Sequence, residues 1–442
     1  MTTTVSLVHL GCARNLIDSE LILARIAEAG CLVSGDLEGA DVAVLNTCSF
    51  IGPAREESEQ AIRDLVARKK RGELSAVVVA GCLVQRFQRS LERSFPDVDL
   101  FAEISDGREL ASAVRDLGRG RAVPRYLAAG GLREPDRDTG RLLSTPRSYA
   151  YLRISHGCDH TCSFCAIPAI RGPHRSKSIE TLQDEARDLI LAGVKELILV
   201  AEDSTAWGRE FGRELPDLVR ALADLEGDHR LRIMYVYPNR FPWGLTELLR
   251  EHPRVLPYLD IPVQHIATPV LRAMRRAGSA DQVRGILSRL REEVPGITLR
   301  TTLLVGFPGE TEADAALLGP FLREFGLGRV GAFVYSHEEG TPAFDRTDLV
   351  STPAVEERLA AVLEARDEVL HETQKAWIGR ELEVLVDERH EGSCIARPAF
   401  DAPEVDPVAR VLGARSDVGD RIRVRVEAVD EDANLICRSV RP

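Results

Sequence analysis

Three thiols stand close together in the stretch GCDHTCSFCAIP, residues 157–168: Cys158, Cys162 and Cys165. Thiolates bind zinc or iron–sulfur clusters. The C-x3-C-x2-C spacing supplies three ligands to a four-iron cubane and leaves the fourth iron open to another ligand. The competing reading is a structural zinc site closed by His156 or His160. Such sites usually join two separated C-x2-C knuckles, and the sequence offers no second one.

A second set of three cysteines is scattered: Cys12 in LGCARN, Cys48 in NTCSF and Cys82 in AGCLVQ. Each directly follows an apolar run, VSLVHL, VAVLNT and AVVVAG in turn. If those runs are parallel strands of one sheet, their carboxyl ends meet at one edge and the thiols converge there. Gly11 and Gly81 would let backbone approach a bulky group closely. Any one of these cysteines alone reads as a core residue at a strand end, whereas three at equivalent places argue for a second three-thiolate cluster. Cys31, Cys394 and Cys437 have no such company and are expected to be buried small hydrophobes.

The remaining polar candidates sit at the ends of later apolar runs. Glu202 and Asp203 end one, Gln264 and His265 another, and Arg300 and Thr302 lie on a third. Asp203, Gln264, Arg300 and Thr302, with Phe164 just before the last loop cysteine, are the candidates to face a bound cofactor. Packing or capping is the alternative for each, and no catalytic side chain is assigned beyond the cluster ligands. The basic run Arg171, His174, Arg175 and Lys177 would either hold a carboxylate or form a solvated loop. GFPGET, residues 306–311, lacks the Lys and Ser or Thr of a phosphate loop and predicts a tight turn into a helix near Thr311.

The elements that must position these residues fall into three blocks with a linker. Residues 1–125 alternate apolar strands with helical patterns, with helices near 18–29 and 53–72, which implies a parallel βαβ sheet. Residues 126–148 are rich in Gly, Pro and charge, and read as a linker. From 149 to 376 six strand–helix units follow, through YAYLRIS, ELILVAE, LRIMYVYP, YLDIPVQ, ITLRTTLLVG and VGAFVYS. Six units predict an incomplete (β/α)6 TIM-like barrel, whose carboxyl end would carry the C-x3-C-x2-C loop. Residues 377–442 hold five short β-like runs and predict a small all-β barrel of the OB type.

Composition bounds the function classes. With 442 residues, 44% of them hydrophobic, the chain is long enough for two or three domains. No apolar run approaches the roughly 20 residues of a membrane helix, and the N-terminus lacks a signal pattern, so a cytoplasmic location is expected. The formal charge, 57 − 69 = −12, disfavours a nucleic-acid backbone as main partner and favours a basic one. The tail has 11 Lys and Arg against 14 Asp and Glu over 375–442, so RNA binding there is weakly supported.

The loop spacing with Phe164, on the first strand of a six-unit barrel, resembles the radical S-adenosylmethionine superfamily. In that superfamily the open iron is chelated by S-adenosylmethionine. The sheet domain with three cysteines, the barrel and a TRAM-like tail together resemble the methylthiotransferase family over nearly the whole chain. The resemblance implies two 4Fe-4S clusters: an auxiliary one on Cys12, Cys48 and Cys82, and a radical one on Cys158, Cys162 and Cys165. It also implies two S-adenosylmethionine molecules, one as methyl donor and one as radical source, and an electron donor. CAIPAIRGPHRSKS, RIMYVYP, RTTLLVGFPGET and RPAFDAPEVD are more similar to the branch acting on an aspartate of ribosomal protein uS12 than to the tRNA adenosine branch. By that resemblance, hydrogen would be removed from the aspartate β-carbon, which then takes a methylated sulfur. A tRNA enzyme and a non-catalytic iron–sulfur redox sensor are the alternatives.

Overall fold

The computed structural model describes residues 2–105, 107–129, 138, 140–276 and 278–440. The chain forms two compact units. The first comprises 1–144 with 156–160 and 165–175, and the second 145–155, 161–164 and 176–442.

The first unit is built on six parallel strands: β1 (Thr4–His9), β2 (Leu32–Ser34), β3 (Val42–Thr47), β4 (Ala76–Gly81), β5 (Leu100–Ala102) and β6 (Tyr126–Leu127). Helices α1 (Ala13–Glu28), α2 (Gly52–Lys70), α3 (Cys82–Phe87), α4 (Ser90–Ser94) and α5 (Arg108–Gly118) connect them. β3 and β4 are buried at every position, which is why VAVLNT and AVVVAG are continuous apolar runs without alternation. Val42, Val44, Val78 and Ala80 pack with Ile22, Ile26 and Leu110. Ala43, Leu45, Val77 and Val79 pack on the other face with Ile62, Leu65 and Leu83. The strand order is β2-β1-β3-β4-β5-β6, so the chain reverses its direction across the sheet between β1 and β3. Such a switch point is where open parallel sheets bind ligands. Within the expected linker, Tyr126–Leu127 pairs with β5 as the last strand of this sheet. Residues 130–137 and 139 of that linker lie outside the described residues.

In the second unit lie β7 (Tyr149–Arg153), β10 (Glu196–Val200), β11 (Arg230–Ile233), β12 (Val255–Asp260), β13 (Thr298–Val305) and β14 (Val330–Val334). The two-residue strands β8 (Ser155–His156) and β9 (Arg175–Ser176) flank the cysteine loop, with α6 (Ile167–Arg171) between them. All six units of the barrel series are present, paired in chain order from β7 to β14, with those two strands at opposite edges. The sheet is therefore an open half-barrel. Its helices include α7 (Ile179–Leu191), α8 (Leu215–Ala223), α9 (Leu245–Glu251), α10 (Thr268–Ala273), α11 (Ala280–Glu293), α12 (Glu312–Ala315), α13 (Leu318–Glu324) and α14 (Thr352–Lys375). The tail closes as a five-stranded barrel of β15 (Glu381–His390), β16 (Ser393–Pro398), β17 (Ala409–Leu412), β18 (Arg421–Val429) and β19 (Leu435–Ser439). Cys394 and Cys437 lie in its core and Cys31 in that of the first unit, as expected. No helix among the described residues is long and apolar enough to cross a membrane.

Charge is buried inside this second unit. Glu196, at the start of β10, accepts from Arg232 at 2.7 Å and lies 3.3 Å from Arg397. Burial opposes its ionisation, but the two guanidiniums win and hold its pKa at about 2, against an ordinary 4.5. Because the folded value is depressed, the carboxylate's contribution is present above pH 4.5 and is lost as the pH falls toward about 2. Glu196→Gln is expected to cost about 3–5 kcal/mol at neutral pH, since it leaves buried guanidinium charge unbalanced. That cost should shrink at about pH 3, where the carboxylate of the unfolded wild-type chain is already protonated while the folded one is still held ionised. Denaturant unfolding of both proteins at the two pH values measures this, and an equal cost at both would contradict the assignment.

Candidate metal centres and cofactor site

In the first unit the three scattered cysteines stand at the carboxyl edge of the sheet, around its switch point. Cys12 is the N-cap residue of α1, Cys48 follows β3 directly, and Cys82 opens α3 where β4 ends. Gly11 lies against Cys48: a Cβ there would sit 3.0 Å from the Cys48 Cβ and 3.3 Å from its Sγ. Gly81 has φ +96, and a Cβ on it would meet the Asn46 Oδ1 and lie 2.7 Å from the Thr47 carbonyl oxygen. Only glycine accepts both that dihedral and that approach.

A polar lattice holds the three loops. Ser58 on α2 accepts from the Cys48 amide at 3.1 Å and donates to the Cys48 carbonyl at 2.8 Å. Asn15 donates to the carbonyls of Leu10 at 2.6 Å and Thr47 at 3.2 Å. Asn46 donates to the Asn15 carbonyl at 2.9 Å and to Ser19 at 2.8 Å. The Thr47 hydroxyl donates to the Ala80 carbonyl at 2.6 Å and accepts from the Leu83 amide at 3.2 Å. Each loop is thus bonded to the next strand's end, so the thiols are placed by backbone anchoring.

The thiols influence one another, and Cys12 and Cys82 share the cation Arg171. Burial pushes Cys82 up to about 11, against the pull of Arg171, with Cys12 and Cys48 adding to the rise. Burial also raises Cys48. Cys12 is lowered: burial opposes ionisation, but Arg14, the Asn15 amide and Arg171 outweigh it. Arg171 donates to the Cys82 Sγ at 3.2 Å, to Asn15 Oδ1 at 3.3 Å and to the buried Asp18 at 2.6 Å. The helix carrying it, α6, packs Ala166 and Ile170 against Cys82.

Cys158 and Cys165 belong to the first unit and Cys162 to the second. The Cys158 amide donates to the Gly172 carbonyl at 3.0 Å, and Gly157, φ +74, packs so closely that a Cβ would lie 2.5 Å from that same oxygen. Cys162 is buried, with the Arg276 guanidinium 3.8 Å from its Sγ. Arg276 is itself fixed by the Pro262 carbonyl and by stacking 4.1 Å over the Tyr237 ring. Ser163 donates through its amide to Met274 at 2.9 Å and through its hydroxyl to Ala273 at 2.8 Å, so the loop is locked to the turn after α10. Among the described residues no three His, Cys, Asp or Glu side chains gather around a point that could hold a single metal ion. A cubane spreads its three thiolates over three irons. Thiol-only donor sets beside glycine-cleared backbone fit the cluster.

The other expected cofactor residues are placed as follows. Phe164 packs with Val270, Met274, Leu304 and Phe307 at the carboxyl end of β13. Gln264 has φ +71 and bridges to Leu303, which turns the chain at the end of the fourth barrel strand. Thr302 and Arg300 share a face of β13 and flank Gly331 of the neighbouring β14, where a Cβ would be 3.6 Å and 3.4 Å from them. Arg300 is ion-paired to Asp260 at 3.1 Å and Asp406 at 3.5 Å. Asp203 is buried and caps the turn at 204–206, accepting from the Thr205 amide at 2.8 Å and hydroxyl at 2.6 Å. The structure thus gives Arg300 and Asp203 structural partners. The basic run is not a solvated loop throughout. Lys177 is fully buried with Glu185 at 2.8 Å, and Arg171 serves the first unit. GFPGET is the expected turn, with Thr311 capping α12 through Asp314.

Asn15, Asp18, Ser19, Asn46, Thr47, Ser58 and Arg276 are functional neighbours that motif reading missed. One signal was present: Asn15, Asp18 and Ser19 recur at helical spacing directly after Cys12, which puts a polar stripe on a helix face that proves buried.

Comparison with known proteins agrees with this geometry. Residues 4–103 match the uncharacterized protein family UPF0004, 152–318 the radical SAM superfamily, and 378–438 the TRAM domain. Among solved structures, the radical S-adenosylmethionine methyltransferase TsrM from Kitasatospora setae superposes with a TM-score of 0.55 at 15% identity, covering 78% of this chain and 74% of its own. That likeness concerns the fold. Fold and cysteine loop together define a radical S-adenosylmethionine enzyme. The chain is 40% identical over 431 residues to the ribosomal protein uS12 methylthiotransferase RimO of Trichlorobacter lovleyi, covering 96% of this chain and 95% of the relative. It is 38% identical over 433 residues to that of Bacteroides thetaiotaomicron, covering 97% and 96%. The chain belongs to the RimO family of uS12 methylthiotransferases.

Gly81→Ala is expected to destabilise the first unit by about 2 kcal/mol or more, through left-handed strain and overlap with β3. Gly35→Ala, with open space around it, should change stability by less than about 0.5 kcal/mol. Thermal unfolding and hydrogen exchange at β3 and β4 would measure both, and equal effects would contradict the account of Gly81.

Proposed function

We propose that this protein inserts a methylthio group at the β-carbon of an aspartate in ribosomal protein uS12. It does so with S-adenosylmethionine and two 4Fe-4S clusters, held by Cys158, Cys162 and Cys165 and by Cys12, Cys48 and Cys82. The observation carrying this reading is the placement of three separate cysteines at the carboxyl edge of one sheet, after the strands beside its switch point, in a chain that also bears the C-x3-C-x2-C loop. When bound, the clusters and S-adenosylmethionine supply the one-electron and radical chemistry and the methylated sulfur.

The chain's own residues do the rest. Ser58, Asn15, Asn46 and Thr47 hold the loops of the auxiliary thiols. Arg171 and Arg276 direct positive charge at Cys82 and Cys162, where a thiolate must persist. Phe164, Thr302, Gln264 and Arg300 are proposed to line the S-adenosylmethionine and substrate space on the half-barrel, with Asp203 shaping the turn beside it. Net charge of −12 favours a basic protein partner over a phosphate backbone. The enzyme would work in the cytoplasm, fed by an electron donor.

Mass spectrometry after anaerobic reconstitution tests this, with S-adenosylmethionine, reductant, and both uS12 and unmodified tRNA present. A methylthio mass gain on an aspartate peptide of uS12 is expected. A gain only on tRNA adenosine would overturn the substrate, and no gain on either would overturn the reaction. Cys48→Ala should retain deoxyadenosine formation and lose methylthio insertion by at least about a hundredfold, an order set by loss of a cluster ligand. Retained insertion would remove Cys48 from the proposed auxiliary site.

A further inference from the structure

The half-barrel is open: among the described residues no strand pairing joins its first strand to its last. β7 and β14 are the free edges. In a full barrel, closure would set strand tilt and spacing. Here another element reaches both edges. The segment between β16 and β17, in the stretch RPAFDAPEVD, presents its acidic side chains to the sheet.

Glu404 accepts from the Tyr149 hydroxyl at 2.9 Å on one carboxylate oxygen and from the Tyr151 hydroxyl at 2.8 Å on the other, and both tyrosines stand on one face of β7. Asp406 accepts from Tyr258 of β12 at 2.6 Å and pairs with Arg300 of β13 at 3.5 Å. Asp401 accepts from Arg329, the residue before β14, at 2.6 Å. Arg397, at the end of β16, reaches Glu196 of β10 at 3.3 Å, which in turn holds Arg232 of β11 at 2.7 Å. This segment, together with Arg397 of β16, thereby bonds directly or through one side chain to five of the six strands and to Arg329 just before the sixth. Glu404 also has φ +68, a left-handed conformation that a non-glycine residue keeps only when its surroundings impose it.

We propose that this acidic segment is a clamp replacing the missing strands of the barrel, with Glu404 and Asp406 as positioning residues. It fixes β7, which leads into the C-x3-C-x2-C loop, against β13 and β14, whose inner face carries Thr302, Gly331 and Phe333. The C-terminal barrel is thereby part of the reaction geometry as well as an appended module. Loosening the clamp leaves the thiol loop intact but lets the strands splay, so radical generation continues while the sulfur-accepting carbon is poorly aligned. A misplacement of about 1 Å costs on the order of a hundredfold in an aligned reaction.

The inference rests on the proposed methylthiotransferase reaction. Its test is the ratio of methylthio-uS12 to deoxyadenosine in the reconstituted full-length enzyme, with iron content and thermal unfolding measured alongside. Glu404→Ala is expected to lower that ratio by about tenfold to a hundredfold at wild-type iron content. Tyr149→Phe with Tyr151→Phe should reproduce the effect from the other side, and adding Glu404→Ala to that pair should lower the ratio no further. If Glu404→Ala does not fold, the tyrosine pair alone decides. A wild-type ratio in the variants, or product and deoxyadenosine falling in equal proportion, would overturn the clamp. Wild-type enzyme that makes no methylthio-uS12 would instead overturn the reaction itself.

Discussion

The three thiols proposed to share one cluster in the first unit must be brought to one place, and their positions in the chain keep them far apart. A parallel sheet solves this because every strand delivers its carboxyl end to the same edge, and the reversal of strand order opens a crevice there. Cys12 and Cys48 follow the two strands flanking that reversal, and Cys82 the next strand along. The rest of the unit follows from this demand. Gly81 is needed because β3 and β4 approach too closely for a side chain. The buried amides and hydroxyls of Asn15, Asn46, Thr47 and Ser58 satisfy backbone groups that the strand ends leave unpaired.

In the second unit the governing condition is incompleteness. The open half-barrel carries polar side chains that burial would penalise. Glu196, Arg232, Tyr258, Asp260 and Arg300 are tolerated because Asp406 and Arg397 from the C-terminal region complete their pairing. Such a network contributes specificity of arrangement more securely than raw stability, since each charge is expensive to bury and ruinous to leave alone. The acidic segment of the tail is therefore explained by the barrel it meets, and its negative charge does not point to a nucleic-acid partner.

Much of this was legible in the sequence. Parallel strands buried on both faces read as continuous apolar runs, so VAVLNT and AVVVAG marked β3 and β4 to the residue, and the cysteines after them marked the edge. The six barrel strands and five tail strands were also marked, with looser ends: LRIMYVYP and YLDIPVQ run past the ends of β11 and β12. Side-chain destiny was less so. Lys177 and Arg171 read as members of one basic run that either holds a ligand's carboxylate or is solvated, yet each is buried against a carboxylate of the chain itself, Glu185 and Asp18. Arg300 sat at a strand position that faces the chamber, but its counter-charge Asp406 comes from another domain, beyond any local pattern. Long-range charge pairing has no period, so a single sequence does not announce it.

The central claim is that the two thiol triplets are two separate four-iron sites. Iron and sulfide analysis with Mössbauer spectroscopy, on anaerobically reconstituted protein and on two triple variants, tests it most directly. Cys12, Cys48 and Cys82 are changed to Ala in one variant, and Cys158, Cys162 and Cys165 in the other. The account predicts about eight irons per chain in the wild type and about four in each variant, all in cubane form. About four irons in the wild type, unchanged when Cys12, Cys48 and Cys82 are removed, would contradict it.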